Sequence, residues 1–286
     1  MRGTDGTLYL KHNGKTDASS STTDNFAQLM LGHLPLLLHP DARSVLNIGL
    51  GGGITLGAIV GHPAVSEIVQ VEIDPLMAEA ARSHFAPFNR DGLEAPRVRL
   101  VVDDGRNFVQ RGGRKFDVIV SEPPNIWVSG VSGLFTQEFY QAARERLSAG
   151  GLLCQWLPLY ELDADDFAAA LRTIGSVFPH LMVWTNGAVA IVIASEGPIQ
   201  PPVNLDQVPP AAFADLASVG VAGDKLLAFL QQPDLSARQV ESWRAKGAFV
   251  NRDDRPLLEF HCARNLFLQQ KQRDSARWRA GLSKDR

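Results

Sequence analysis

Residues 44–53 read SVLNIGLGGG, a short apolar strand pattern that leads directly into a glycine-rich turn. A helical stretch near residues 55–60 follows, and a second apolar run ends in Glu72-Ile73-Asp74. Glycine lets a backbone turn sharply and approach a ligand closely, and an acidic residue about 20 positions further on can accept both hydroxyls of a ribose. The order of strand, glycine turn, helix and acidic strand end therefore predicts a nucleoside-binding βαβ unit.

The spacing of the glycines indicates which kind of nucleoside the turn binds. Gly49, Gly51 and Gly53 follow the spacing G-x-G-x-G, and Ile54 stands where the dinucleotide fingerprint G-x-G-x-x-G has its last glycine. This spacing favours a sulfonium nucleoside of the S-adenosylmethionine kind. An NAD-linked dehydrogenase is an alternative that the spacing disfavours.

Composition excludes several classes of protein. The chain has 286 residues, is 45% hydrophobic and 21% charged, and can bury one large α/β core with an appendage. A net charge of -3 lacks the basic excess that nucleic-acid binding requires. The longest apolar stretch, residues 29–38, is interrupted by His33 and Pro35 and is shorter than a membrane span of roughly 18 residues. No secretory signal precedes it. We expect a cytoplasmic protein with no membrane span in this chain and no nucleic-acid partner.

The two cysteines, Cys154 and Cys262, lie far apart in the sequence. Neither belongs to a CxxC pair, and neither has a histidine at metal-ligand spacing. We therefore expect two reduced, buried thiols and no metal site.

From residue 44 onward, short β-branched runs alternate with helical stretches, which predicts an α/β fold with a doubly wound, mainly parallel sheet of the Rossmann type. Two consecutive strands at 181–184 and 188–194 predict an antiparallel final pair. We expect three regions: an N-terminal β-hairpin or lid with a helix at 1–42, a nucleoside-binding α/β domain at 43–197, and a helical C-terminal appendage at 198–286. The helices of the appendage are expected at 211–216, 225–231, 237–246 and 264–279, and residues 7–13 are expected to form an edge strand or hairpin.

In such a sheet the ligand lies outside the carboxyl ends of the strands, so the residues that close each strand are the candidates. Glu72, with Asp74 nearby, is the expected acceptor for the ribose hydroxyls. Asp104, next to Gly105, can accept a hydrogen bond from the exocyclic amine of adenine, because a carboxylate only accepts. Asp103 or Asp104 can also cap the helix that follows, and both roles are compatible.

The fourth strand ends in Ser-Glu-Pro-Pro-Asn, residues 121–125, and supplies the catalytic candidates. Glu122 would face the electrophilic carbon of a bound sulfonium, where an incoming amine must be held and must lose a proton. Asn125 can orient the nucleophile, Trp127 can supply an aromatic wall for a cation, and Gln155, which closes the fifth strand, can line the pocket. The alternatives are a strand-end ion-pair partner for Glu122, a turn residue for Asn125 and a core aromatic for Trp127.

The chain resembles the polyamine aminopropyltransferase (spermidine synthase) family, within the class I methyltransferase fold, over roughly residues 8–194. The resemblance rests on Gln28 with residues 33–36 (HLPL), and on residues 49–53 (GLGGG), 71–74 (VEID), 102–105 (VDDG), 134–136 (LFT) with 138–140 (EFY), and 151–155 (GLLCQ). It implies decarboxylated S-adenosylmethionine as donor, a diamine as acceptor, Gln28 in the donor site, an N-terminal β region that helps to cover the site, and a homodimer.

Three departures from the family pattern open alternatives. The family's glycine loop carries an aspartate for the donor's aminopropyl ammonium where this chain has Gly52, its D-S-S-D segment is Glu122-Pro-Pro-Asn125 here, and its tyrosine before the glutamine is Ala27. Fewer carboxylates hold a dicationic amine less strongly, and without the loop aspartate nothing there repels the carboxylate of S-adenosylmethionine. An S-adenosylmethionine-dependent methyltransferase is one alternative, since Glu-Pro-Pro-Asn is similar to the (D/N)PP(Y/F) segment of amino-methylating enzymes. A non-catalytic nucleoside-binding domain is another.

Residues 121–125 and 253–256 (DDRP) are also similar to the spermidine-synthase-like domains fused behind transporter-like membrane domains. No such membrane domain is present in this chain. We expect the 253–256 segment to cap a helix and pack against the sheet rather than to act in catalysis. The first expectation for function is thus aminopropyl transfer by direct displacement, with Glu122 as base and the acceptor amine left open.

Overall fold

The computed structural model describes residues 1–12, 15–202 and 204–267. The strands are β1 (Tyr9–His12), β2 (Lys15–Ser19), β3 (Ser44–Ile48), β4 (Glu67–Glu72), β5 (Val98–Val102), β6 (Phe116–Ser121), β7 (Leu147–Pro158), β8 (His180–Thr185) and β9 (Val189–Ser195). The α-helices are α1 (Thr22–Leu38), α2 (Ile54–Val60), α3 (Pro75–His84), α4 (Ala86–Asn89), α5 (Gly105–Gln110), α6 (Gln137–Glu145), α7 (Ala164–Gly175), α8 (Pro210–Ser218), α9 (Asp224–Gln231), α10 (Ala237–Lys246) and α11 (Leu257–Phe267).

A seven-stranded sheet has the strand order β5-β4-β3-β6-β7-β9-β8. Neighbouring strands from β5 to β7 are parallel, whereas β9 is antiparallel to both β7 and β8. This confirms the predicted mainly parallel, doubly wound sheet and its antiparallel final pair. The chain builds outward from β3 to β5 and then returns to the other side of β3 with β6. The crevice between the ends of β3 and β6 is the topological switch point at which such sheets bind ligands.

Both faces of the sheet are covered, which explains why its central strands are continuous apolar runs rather than alternating ones. β3 and β9 are buried at every position. Successive residues point to opposite faces, so Val118 joins the core on one side of the sheet and Ile119 the core on the other. The sheet edge that carries the ligand crevice is therefore set rigidly by packing on both sides.

The N-terminal hairpin pairs β1 with β2 in a sheet of its own, and α1 follows it directly. Thr16 and Ala18 of β2 reach the cavity described below. The predicted strand at residues 7–13 corresponds to β1, and its last residue lies outside the described residues.

Helices at 211–216, 225–231 and 237–246 were predicted for the C-terminal region, and α8, α9 and α10 confirm them. The start expected at 264 for the last helix is wrong, because α11 begins at Leu257, directly after Pro256. Most of the predicted 264–279 helix lies outside the described residues. The division into three regions stays a prediction.

The hydrogen bonds of the 253–256 segment run to helices, and its packing against the sheet stays a prediction. The Arg106 guanidinium of α5 forms two hydrogen bonds with the Asp253 carboxylate. The backbone N–H of Asp253 donates to Glu138 of α6 at 3.1 Å. The segment therefore joins the C-terminal region to α5 and α6.

Cys154 and Cys262 are both buried and free, as predicted. Burial raises the pKa of both thiols, so neither is a reactive thiolate. Among the described residues, no helix combines the length and the apolar character needed to cross a membrane.

Asn251 connects the start of the last described helix to the α/β region, and we predict that Asn251→Ala is strongly destabilising. Its side chain donates to the Phe135 carbonyl at 3.0 Å and accepts from the Leu258 N–H at 3.1 Å, with the residue fully buried. Leaving these buried groups unpaired should lower the free energy of unfolding by about 2–4 kcal/mol. Urea unfolding measures the free energy of unfolding of this variant, with Asn204→Ala, a substitution of an exposed asparagine, as the matched control. Equal stability of the two variants would contradict the role given to Asn251.

Candidate active site

A cavity of about 500 Å³ opens at the carboxyl ends of the parallel strands and is covered by β2 and the first turns of α1. Most of the residues predicted to form a site line it. They are Gln28, Gly49, Gly51, Glu72, Asp74, Asp104, Gly105, Glu122 and Asn125. Gly53, Trp127 and Gln155 do not line it.

The glycine turn lies close against the end of β6. Gly49 has a φ of 89° and donates its N–H to the Val71 carbonyl at 2.9 Å. A Cβ on Gly49 would collide with the backbone carbonyl of Glu122. Glycine is therefore required here both by conformation and by contact, and the contact brings the acidic end of β6 to the turn.

Gly53 and Gly52 point away from the cavity. Gly53 has a φ of 77°, and a Cβ there would lie 3.1 Å from the Asn89 side-chain amide, so Gly53 shapes the turn instead of contacting a ligand. A Cβ on Gly52 would lie 2.7 Å from the buried ring of Phe85. Phe85 thus occupies the space that a side chain at position 52 would need.

Glu72 at the end of β4 is held by the turn that follows it and by the glycine turn after β3. Its carboxylate accepts the Leu50 N–H at 2.9 Å and the Asp74 N–H at 3.0 Å. Burial raises the pKa of Glu72, and these two backbone donors oppose the shift. A carboxylate has about four acceptor positions, so acceptor capacity remains for a ligand in the cavity.

Asp74 and Asp104 cap helices and line the cavity at the same time. Asp74 accepts the Leu76 N–H at 2.9 Å at the start of α3, and Asp104 accepts the Asn107 N–H at 2.8 Å at the start of α5. Asp104 therefore caps a helix and can also accept a hydrogen bond from a ligand in the cavity, the two roles considered for it from the sequence. The part of the cavity at the ends of β4 and β5, where the sequence predicts the nucleoside, is thus lined by oxygen acceptors. We call this part the nucleoside half.

Glu122 is the acidic group at the end of β6, and its carboxylate accepts the Thr55 hydroxyl at 2.6 Å. Burial raises the pKa of Glu122 to about 7, the Thr55 hydrogen bond opposes the shift, and the negative charge of Asp24 adds to it. A carboxyl with this pKa is about half ionised at neutral pH. It can accept a proton from a bound ammonium and release it to water, as a general base must.

Asn125 donates to the phenol oxygen of Tyr160 at 2.9 Å, and both residues line the cavity. Tyr160 was not predicted, because it lies in the irregular segment after β7, where no periodicity places a side chain. Asp24 also lines the cavity and was missed. Its position four residues before Gln28 in one helix was a usable signal, since residues four apart share a helix face.

Trp127 and Gln155 lie behind the cavity wall. The Trp127 indole donates to Glu161 at 3.0 Å and packs against the core. Gln155 is fully buried and donates to the Trp156 carbonyl at 3.0 Å. Trp156 lines the cavity instead of its neighbour, because successive side chains of a strand point to opposite faces. Within residues 1–12, 15–202 and 204–267, no group of three or more His, Cys, Asp or Glu side chains is placed to hold a metal ion.

We predict that Glu122→Gln stabilises the folded protein at high pH. Folding raises the pKa of Glu122 from 4.5 to about 7, so the folded state binds this proton more tightly than the unfolded chain. The free energy of unfolding should therefore fall as the pH rises through this range, and the variant should not show that loss. At pH 8 the variant should be more stable than the wild type by roughly 1–3 kcal/mol, and near pH 4.5 the difference should vanish. A pH series of urea unfolding curves checks this, and a gap that does not depend on pH would contradict it.

A second prediction concerns Gly52→Asp, which restores the aspartate that the resembling family carries. The new side chain meets the Phe85 ring, so the melting temperature should fall. Phe85→Leu in the same chain should recover part of this loss, whereas Phe85→Leu alone should destabilise by leaving a cavity. Thermal unfolding of the three variants tests the contact. No recovery in the double variant would show that Phe85 is not the obstacle.

Comparisons with known proteins show which family the chain resembles. Residues 25–191, well over half of the chain, match the family model described as Spermine/spermidine synthase domain. The polyamine aminopropyltransferase of Thermotoga maritima is 32% identical over 177 residues, which are 59% of this chain and 59% of that protein. The spermidine synthase of Dictyostelium discoideum is 30% identical over 182 residues, which are 61% of this chain and 63% of that protein. The matched segments thus span about three-fifths of these relatives.

Solved structures give the same family over a longer part of the chain. The crystal structure of spermidine synthase from Thermotoga maritima has a TM-score of 0.62 and 27% identity, and the match covers 82% of this chain and 78% of that chain. A spermidine synthase in complex with the transition state analogue AdoDATO has a TM-score of 0.65 and 26% identity, with 82% and 79% covered.

Proposed function

The chain belongs to the spermine/spermidine synthase domain family, and we propose that it transfers an aminopropyl group from decarboxylated S-adenosylmethionine to an amine. The observation that carries this proposal is the position of Glu122, a carboxyl with a pKa near 7, beside the glycine turn and opposite the acceptors of the nucleoside half. The structural likeness to a spermidine synthase solved with a transition state analogue supports it.

In this proposal the nucleoside half holds the donor. Glu72 accepts the ribose hydroxyls through its remaining acceptor capacity, and Asp104 accepts the adenine amine. Gln28, whose amide donates to the Ser19 carbonyl at 3.2 Å, closes the donor site from α1. These contacts place the sulfonium and its neighbouring carbon toward the end of β6.

The other half receives the acceptor amine. Glu122 takes one proton from the ammonium, Asp24 adds negative charge nearby, and Asn125 with Tyr160 orients the neutral amine. The nitrogen lone pair then forms a bond to the carbon next to sulfur, and the carbon–sulfur bond breaks with its electron pair going to sulfur. The products are a secondary ammonium and a neutral thioether, and the proton on Glu122 passes to water. Most of the rate comes from the in-line positioning of two reactants, because the sulfonium is already an activated leaving group.

A methyltransferase that uses S-adenosylmethionine is the second candidate function. The surroundings of Gly52 are the observation that supports it. No side chain extends from the glycine loop at that position, and Phe85 fills the space behind it. The donor's carboxylate would therefore meet no repulsion from an aspartate at position 52.

Calorimetric titration with the decarboxylated donor and, separately, with S-adenosylmethionine separates the two candidates. A preference for the decarboxylated donor is expected, and a preference for S-adenosylmethionine would favour the methyltransferase.

We predict that Glu122→Gln lowers kcat with the preferred amine by about 100-fold or more, because the amide cannot accept the ammonium proton. Donor affinity should stay within about twofold, since Glu122 lies outside the nucleoside half. Glu79→Gln, an exposed substitution on α3, is the matched control and should leave turnover unchanged. Steady-state kinetics and donor titration of both variants make the measurement. Equal turnover in Glu122→Gln would remove this residue from the mechanism.

Two further expectations belong to this proposal. The acceptor is a small amine, and the family resemblance implies a homodimer. Donor binding without product under any amine would instead favour a non-catalytic nucleoside-binding domain. Light scattering of the purified protein measures the mass of the assembly directly, and a monomer at working concentration would contradict the dimer.

A further inference from the structure

Thr55, in the first turn of α2, lies between the catalytic candidate and α1. Its hydroxyl oxygen is 2.6 Å from a carboxylate oxygen of Glu122 and 3.1 Å from the backbone carbonyl oxygen of Gln28. The side chain is almost completely buried, with 1% of its surface exposed, so water does not replace either contact freely. No feature of the sequence pointed to this residue.

The contact depends on the close packing of α1 against α2. A Cβ at Gly32 of α1 would lie 2.5 Å from the Cβ of Ala58 and 2.7 Å from the Thr55 carbonyl oxygen. Only glycine lets the two helix backbones approach so closely. This approach brings the Thr55 hydroxyl within reach of the Gln28 carbonyl.

The two contacts cannot both be full hydrogen bonds donated by Thr55, because a hydroxyl has one proton. If Glu122 is ionised, both neighbours of the hydroxyl are acceptors and Thr55 can donate to only one of them, while the Gln28 carbonyl keeps its intrahelical partner, the Gly32 N–H of α1. If Glu122 is protonated, its O–H donates to Thr55, and Thr55 donates to Gln28. Only the protonated form of Glu122 makes both contacts of the Thr55 hydroxyl hydrogen bonds.

We infer that Thr55 is a positioning residue for Glu122. The single hydroxyl proton of Thr55 is donated to the Gln28 carbonyl while Glu122 is a neutral acid. It is donated to the Glu122 carboxylate when Glu122 becomes the base. This inference rests on the proposed function for its catalytic meaning. The hydrogen-bond exchange itself depends only on the geometry of the three groups.

The protein groups around Glu122 favour its neutral acid form. Asp24 of α1 adds a negative charge, and the pKa of the neighbouring Cys154 thiol on β7 is raised, so that thiol contributes no thiolate. Burial works in the same direction. An arriving ammonium opposes these effects, because its positive charge stabilises the carboxylate. Glu122 thus becomes a base as the cationic amine arrives, and Thr55 supplies the hydrogen bond that stabilises the ion.

The exchange can be measured in the wild-type protein without substrate. Glutamate and glutamine labelled with ¹³C report the Glu122 carboxyl carbon and the Gln28 backbone carbonyl carbon by NMR, with Glu122→Gln used to assign the carboxyl signal. We expect both signals to change with pH at one common midpoint near 7, because loss of the Glu122 proton withdraws the Thr55 hydrogen bond from Gln28. A Gln28 signal that does not move with the Glu122 titration would overturn the inference, whatever the protein catalyses.

Two substitutions at Thr55 test the positioning role. Thr55→Val removes the hydroxyl at nearly constant volume, so the Glu122 titration should move up by about one pH unit or more, and kcat/KM at pH 7 should fall about fivefold and recover near pH 9. Thr55→Ser keeps the hydroxyl and should restore both values. A loss in Thr55→Val that is equal at all pH values would show a merely structural role. Absence of turnover in the wild type would instead refute the proposed function and leave the NMR result standing.

Discussion

The close approach of the glycine turn to the end of β6 is the constraint on which the cavity depends. Gly49 bonds to β4 through the Val71 carbonyl, and the Glu122 N–H bonds to the Ile48 carbonyl at 3.0 Å. The ends of β4, β3 and β6 are therefore tied together at one point. A side chain at position 49 would push β6 away from the turn. Separating these strands would also separate Glu122 from the nucleoside half.

The two main carboxyl groups of the cavity, Glu72 and Glu122, have different surroundings, and this difference suits each half of the cavity to a different task. The carboxylate of Glu72 is stabilised by backbone N–H groups, so it is suited to accept hydrogen bonds from neutral hydroxyls. Glu122 has a single hydroxyl donor, and its pKa near 7 leaves it able to change its protonation state. A fixed acceptor and a titratable acid are what a displacement by an amine requires.

The fold was predictable from the sequence because the signals that indicate it are local sequence patterns. The glycine turn after β3, the acidic end of β4 and the alternation of strands and helices are signals that each lie within a few residues. Asp74 and Asp104 were found for the same reason, since a residue that closes a parallel strand must lie at the ligand edge.

The rest of the site depends on features that such patterns do not contain. Gln155 was expected to close the fifth strand and line the pocket, but its side chain lies on the face opposite to that of Trp156, which lines the cavity, and β7 continues to Pro158 before Tyr160 reaches the cavity. Thr55 reaches Glu122 only because α1 and α2 touch at Gly32, which is a tertiary contact. Likewise, the filling of the space at Gly52 by Phe85 needs three-dimensional packing to be seen.

The most direct measurement of the central claim is the identity of the thioether that the purified protein releases. Incubation with an amine panel and an equal mixture of decarboxylated S-adenosylmethionine and S-adenosylmethionine, followed by mass spectrometry, distinguishes the two possible products. Aminopropyl transfer predicts methylthioadenosine that forms only when an amine is present. Release of S-adenosylhomocysteine in its place would contradict the account and assign the cavity to methyl transfer.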